Sequence, residues 1–241
     1  MTAAPQAHPR ALSADPRLII PLDVPTVAEA RALVERLGDA VGFYKIGLQL
    51  FATGGMTLAS ELKAQGKQVF LDWKLHDIGA TVEKAAAAIA GAGSGDFLTV
   101  HAEPQVLESA VKGKGSSGLK ILGVTVLTSL NAADLAEIGY ALDVEALVER
   151  RIRQVLDAGA DGVIASPHEA ALARRIGGPG FLVVTPGVRP SWSGKDDQAR
   201  AATPAESLRN GASHLVCGRP ITAAADPHAA ALAVVQEMAG V

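Results

Sequence analysis

The stretch Leu71-Asp72-Trp73-Lys74-Leu75-His76-Asp77-Ile78 sets two carboxylates and an ammonium close together at the end of an apolar run. If that run is a strand, Asp72 and Lys74 share one face, because side chains alternate. Opposite charges facing inward on a buried strand are costly unless paired. The pair is then either a structural ion pair or part of a preorganised electrostatic site, and Asp77 could equally be the N-cap of the next helix. Lys45, in Phe43-Tyr44-Lys45-Ile46-Gly47, and Asp23, ending Ile19-Ile20-Pro21-Leu22-Asp23, close two other apolar runs in the same way. A lone pair could be structural. Asp23, Lys45, Asp72, Lys74 and Asp77 gathered at neighbouring strand ends are better explained as an active site.

An anion site suggests itself further along. Pro186-Gly187 and Gly218-Arg219 end the last two apolar runs, and Arg189 follows the first of these. Glycine lets the backbone approach an anion, and arginine offers a rigid fork of donors. The stretch from Val188 to Ala202 is long and polar, unlike the other connections, and reads as a lid or as surface variation.

The elements that must hold these residues alternate along the chain. Strand candidates are Arg17–Val24, Phe43–Leu48, Gln68–Leu75, Phe97–His101, Lys120–Thr128, Gly162–Ala165, Phe181–Pro186 and His214–Gly218. Between them, Ser166-Pro-His-Glu169 and Thr203-Pro-Ala-Glu206 match the capping box, and Asp226-Pro227 opens the last helix. From Asp143 onward, Val144, Leu147, Val148, Ile152, Val155 and Leu156 form one apolar stripe. Gly159, Gly177 and Gly211 fall where helices should stop.

Eight apolar strands, each followed by a helix, predict an α/β fold, a single (β/α)8 TIM barrel; a doubly wound open sheet is the alternative. Residues 17–241 are expected to form the catalytic domain, with 1–16 a flexible N-terminal extension. Chemistry in such barrels sits at the strand C-termini, with phosphate often bound after strands seven and eight. With only 4% aromatics, the core should rest mainly on Ala, Val, Leu and Ile.

Several classes drop out. A net charge of −3 without runs of one sign argues against nucleic-acid binding. The single Cys217 permits no intramolecular disulfide and no cysteine metal cluster. Nothing resembles a signal peptide or a membrane span, so a cytoplasmic protein is expected. The literal G-x-G-x-x-G at Gly113–Gly118 follows a helix and precedes a strand, the wrong order for a dinucleotide fingerprint. The six histidines show no metal-ligand spacing; His101 is expected to line the site or orient a neighbour, and His76 to point away from Asp72 and Lys74.

Asp-x-Lys-x-x-Asp-Ile after a third strand, with a strand-two lysine, resembles the Lys-Asp-Lys-Asp array of orotidine 5′-phosphate decarboxylases. Leu22-Asp-Val24, Val124-Thr-Val-Leu-Thr-Ser129, Thr185-Pro-Gly-Val-Arg-Pro190, Asp197-Gln198 and Cys217-Gly-Arg-Pro-Ile221 agree in order, from about residue 17 to 221. Departures are Gly79-Ala80, where many members have Pro-Asn, and Trp73 and Leu75, where Leu and Phe are more usual. The resemblance implies decarboxylation of orotidine 5′-phosphate to uridine 5′-phosphate, without metal or organic cofactor. It implies Lys74 as proton donor to C6, Asp72 beside the substrate carboxylate, and Lys45 linking Asp72 to the ribose hydroxyls. Asp23 would bind ribose, and Thr128 and Ser129 would meet the pyrimidine. Pro186, Arg189, Gln198, Gly218 and Arg219 would hold the phosphate end. It further implies a homodimer in which Asp77 and Thr81 complete the partner's site. The rivals are sister barrels that use the same motif with Mg2+ (keto-gulonate phosphate decarboxylases and hexulose phosphate synthases), and a non-catalytic phosphometabolite-binding barrel.

Overall fold

The computed structural model describes residues 14–193 and 202–241. Eight parallel strands run in sequence order: β1 (Leu18–Pro21), β2 (Phe43–Gly47), β3 (Gln68–Leu75), β4 (Phe97–His101), β5 (Lys120–Val124), β6 (Gly162–Ile164), β7 (Leu182–Thr185) and β8 (His214–Val216). Ile19 and Val216 are register partners across the β1–β8 seam, which closes the (β/α)8 barrel and rules out the open sheet. Among the described residues, no helix is long and apolar enough to cross a membrane.

β3 and β4 have the bounds read from sequence, whereas β5 stops at Val124 rather than Thr128. The reason is its neighbour: β6 is only Gly162–Ile164, and Thr125 Oγ1 donates to the Ile164 carbonyl at 2.9 Å instead of extending a ladder. Elsewhere the ends fray as strand ends do: Leu22, Ala165 and Cys217 lie outside the strands yet still donate to Lys45, Val184 and Ile19 carbonyls.

The scarce aromatics are concentrated rather than spread. Phe43, Phe70 and Phe97, three of the five phenylalanines, fill the barrel interior with Ile19, Leu122, Val184 and Val216. Phe43 and Phe97 meet edge-on at 5.0 Å. Between barrel and helices the core is aliphatic, as expected: Leu, Ile, Val and Ala predominate. Gly113, from the rejected fingerprint, serves packing. A Cβ there would lie 2.2 Å from the Glu83 carbonyl, so glycine lets helix Pro104–Lys114 press onto helix Gly79–Ala92.

Helix starts follow local chemistry. Thr203 and Glu206 form the expected capping box, and Asp226 accepts the Ala229 N–H at 3.0 Å. Ser166 is a correction: residues 166–169 make a turn, the helix is Ala170–Gly177, and only the Glu169 half of the box forms, accepting the Ser166 N–H at 2.9 Å. Helix Val144–Asp157 buries Leu147, Val148, Ile152 and Val155 as the stripe requires, and also buries Arg151.

A repeated clasp stitches the lower rim. Asp96, Asp161 and Ser213 immediately precede β4, β6 and β8. Their N–H groups donate to the carbonyls of Val69, Ile121 and Val183 at 2.7, 3.0 and 2.8 Å. Their side-chain oxygens accept the N–H groups of the same three residues at 2.7, 2.9 and 2.9 Å. Gly42 precedes β2 and has no side chain with which to do the same.

Below the phenylalanines, the His214 ring lies edge-on to Phe97 at 5.1 Å, and burial pushes its pKa down to about 4. Its folded pKa lies below the unfolded value of 6.5, so stability is unaffected above pH 6.5 and falls as pH drops from there toward 4. The expected loss is about 3 kcal/mol. A His214→Leu variant should flatten this part of a pH series of urea midpoints; an unchanged slope would remove His214 as its source.

Candidate active site

The C-terminal ends of the strands surround a cavity of about 340 Å³, floored by Phe70, Ile164 and Val216 from the barrel interior. Asp23, Lys45, Asp72 and Lys74 line one side. Lys45 Nζ lies 3.1 Å from Asp23 Oδ1 and 3.3 Å from Asp72 Oδ2, while Lys74 Nζ reaches Asp72 Oδ1 at 2.8 Å. These contacts make a continuous chain of alternating charge. Lys45 is buried in β2, where its stem fills space and its ammonium reaches the rim. Burial alone would raise the Asp72 pKa, but Lys45, Lys74 and the Thr99 hydroxyl together hold this carboxyl below the usual carboxylate range.

Simple alternation does not fully account for Lys74. Among the described residues it alone, apart from glycines, has a positive φ, of 48°. The β3–β4 register shifts between Leu71 and Leu75, so the ammonium is presented from a left-handed backbone that lysine adopts at a cost. Thr99 holds that conformation. Its Oγ1 accepts the Lys74 N–H at 3.0 Å and donates to Asp72 Oδ1 at 3.0 Å. Sequence reasoning missed Thr99; the available signal was a polar residue at an inward position of Phe97-Leu98-Thr99-Val100-His101.

Asp77 is exposed and does not join the chain of charges. Its N-cap reading fails: the cap position of helix Gly79–Ala92 is Ile78, without a side-chain cap, and the Asp77 carboxylate accepts the Ile78 N–H at 2.6 Å. Thr81 is likewise exposed and outside the cavity lining. His101 stacks on His76 instead of lining the cavity, with ring centroids 4.6 Å apart.

The opposite side is suited to an anion. Pro186, Gly187, Arg189, Gly218 and Arg219 line it. Gly187 takes a φ of 80°, which a side chain would resist. Arg189 is buried, and its N–H donates to the Ala202 carbonyl at 2.9 Å, tying together the two ends of the long loop. Gln198 lies outside the described residues. Thr128 lines the cavity, whereas Ser129 is exposed and does not.

A family model, "Orotidine 5'-phosphate decarboxylase / HUMPS family", matches residues 16–234. An orotidine 5′-phosphate decarboxylase of Caulobacter sp. (strain K31) is 72% identical over 229 residues, covering 95% of this chain and all of the relative. The enzyme of that name from Rhodopseudomonas palustris (strain HaA2) is 54% identical, covering 92% and 94%. The crystal structure of orotidine 5′-phosphate decarboxylase from Lactobacillus acidophilus superposes with a TM-score of 0.82 at 37% identity, covering 93% of this chain and 99% of that one. With the barrel closed and the chain matched nearly from end to end, this protein belongs to the orotidine 5′-phosphate decarboxylase / HUMPS family.

Proposed function

We propose that the protein converts orotidine 5′-phosphate to uridine 5′-phosphate in de novo pyrimidine biosynthesis, by direct loss of CO2 and protonation of C6 by Lys74. The observation that carries this reading is the Asp23–Lys45–Asp72–Lys74 chain in one cavity with an arginine-lined end. The C6–carboxylate bond breaks, its electron pair stays on C6, and an ammonium proton of Lys74 moves to that carbon. Before the transfer, the same ammonium stabilises the developing carbanion. Asp72 lies beside the departing carboxylate, Lys45 and Asp23 bind the ribose hydroxyls, and Thr128 and Ser129 meet the pyrimidine.

The uncatalysed reaction is very slow, so the enzyme must supply on the order of 20 kcal/mol. Phosphate contacts from Pro186, Arg189, Gln198, Gly218 and Arg219, remote from C6, supply binding energy that orients and desolvates the ring. Arg219→Ala should therefore lower kcat/KM by roughly 2–5 kcal/mol of transition-state binding. Steady-state kinetics checks this, and an unchanged kcat/KM would remove Arg219 from the phosphate site.

The reading includes a homodimer in the cytoplasm, with residues 17–241 as the catalytic domain beside an N-terminal extension. Asp77 and Thr81 would reach the partner's cavity; their exposure on the rim supports this, as does Ile78 between them, 68% exposed. No metal or organic cofactor is invoked, since Lys45 and Lys74 occupy the Asp72 oxygens that a divalent cation would need. The test is the orotate absorbance of orotidine 5′-phosphate mixed with EDTA-treated protein. Loss of the band supports direct decarboxylation, whereas turnover only after Mg2+ addition, or none at all, overturns it.

A further inference from the structure

Beside the left-handed backbone at Lys74, outside the cavity, lies a cluster of polar side chains. Two residues on, the His76 ring lies on His101, the last residue of β4, at an interplanar angle of 22°. Both rings face one carboxylate: Glu103 Oε2 is 3.8 Å from His76 Nε2 and 4.0 Å from His101 Nδ1. Glu103 Oε1 accepts from Arg151 Nη2 at 3.0 Å.

Arg151 is the buried cation on the apolar stripe of helix Val144–Asp157. It also donates to the Tyr140 hydroxyl at 2.7 Å and to the Thr125 carbonyl just beyond β5. The ends of β3, β4 and β5 therefore converge on the Glu103–Arg151 pair. A charge buried on a helix stripe adds little stability compared with an apolar residue, so its placement calls for a role in geometry. Burial keeps His101 below its ordinary pKa against the pull of Glu103, with His76, Arg151 and Lys74 adding to the effect.

We propose that Glu103, clamped by Arg151, is a positioning residue for decarboxylation: it fixes the His76–His101 stack and thereby the turn that aims the Lys74 ammonium. The inference rests on the role given to Lys74 above. A displacement of about 1 Å at a reacting group is enough to cost on the order of 10²-fold in rate.

Glu103→Gln keeps the shape and removes the charge, while Arg151→Lys keeps the charge and removes the fork. Both would be assayed with orotidine 5′-phosphate beside Lys74→Ala, with melting temperature and uridine 5′-phosphate affinity measured in parallel. The expected result is kcat lower by roughly 10- to 100-fold in each, with KM and nucleotide affinity close to wild type; Tm falls in Glu103→Gln, which strips Arg151 of its carboxylate, and stays close to wild type in Arg151→Lys. In the Glu103→Gln/Lys74→Ala double variant, the Glu103 change should cause no further loss, because the two act as one unit. Wild-type kcat in a folded Glu103→Gln overturns the proposal, as does a parallel fall of kcat, nucleotide affinity and Tm, which marks a structural role only. Should Glu103→Gln not fold, Arg151→Lys decides on the same criteria. Substantial turnover by Lys74→Ala would instead overturn the role of Lys74, whereas an inert Lys74→Ala beside a fully active Glu103→Gln overturns positioning alone.

Discussion

Lys74→Ala should fold, bind nucleotide and lose on the order of 10⁵-fold in kcat. The estimate combines the typical worth of a placed general acid with that of one preorganised charge. Folding should survive, because Asp72 keeps the Lys45 ammonium at 3.3 Å and the Thr99 hydroxyl at 3.0 Å after the Lys74 amine is gone. Lys74 is also partly exposed at the cavity wall, so its truncation empties solvent-accessible space rather than core. Turnover within a hundredfold of wild type would show that another group protonates C6. Retained uridine 5′-phosphate binding and a normal melting curve would show that the loss lies in the chemical step.

Asp72→Asn should damage both rate and stability, and that distinguishes it from the first variant. Three groups converge on this carboxylate: Lys45, Lys74 and Thr99. Without the charge, Lys45 retains only Asp23, whose side chain is 59% exposed, and a largely buried ammonium is left poorly compensated. The expected loss is about 3 kcal/mol, read from urea midpoints at neutral pH, with kcat close to that of Lys74→Ala. The pH dependence has a definite sign. The folded Asp72 pKa lies below its ordinary 3.8, so the carboxylate contributes stability above that value and loses it as pH falls through the folded pKa. Wild type and Asp72→Asn should therefore converge in stability at strongly acidic pH. A constant gap between them would assign the loss to packing rather than to charge.

Much of this architecture is legible in residue order. Apolar runs separated by capped helices specify eight units, and the spacing of Asp72 and Lys74 marks both as cavity residues although a register shift intervenes. Barrel closure was less accessible, because the β1–β8 seam joins residues about two hundred positions apart and leaves no local pattern. The Lys74 backbone was illegible for a different reason. A lysine at φ 48° contradicts its own preference, and the hydrogen bond its N–H donates to the distant Thr99 leaves no local signal. Arg151 escaped the helix reading because a charged residue inside an apolar stripe looks like an interruption, whereas its fork spans three separate segments. Asp77 shows the opposite fault: the local cap signature was plausible, but the chain turns one residue later.

The three rim clasps make neighbouring strand pairs self-sufficient, which sets an order of assembly. β3 with β4, β5 with β6, and β7 with β8 are each locked by a clasp, and β1 pairs with the nearby β2, whereas the β1–β8 seam must wait for the two ends of the protein to meet. The seam that closes last should also open first. Amide protons of Leu215 and Cys217, which donate across the seam to the Arg17 and Ile19 carbonyls, are expected to exchange with solvent sooner than those of Val69, Ile121 and Val183, and equal protection across all five would refute a weak seam. Asp23 lies just beyond β1, so fraying that starts at the seam reaches the Asp23–Lys45 end of the chain of charges before it reaches Asp72 and Lys74.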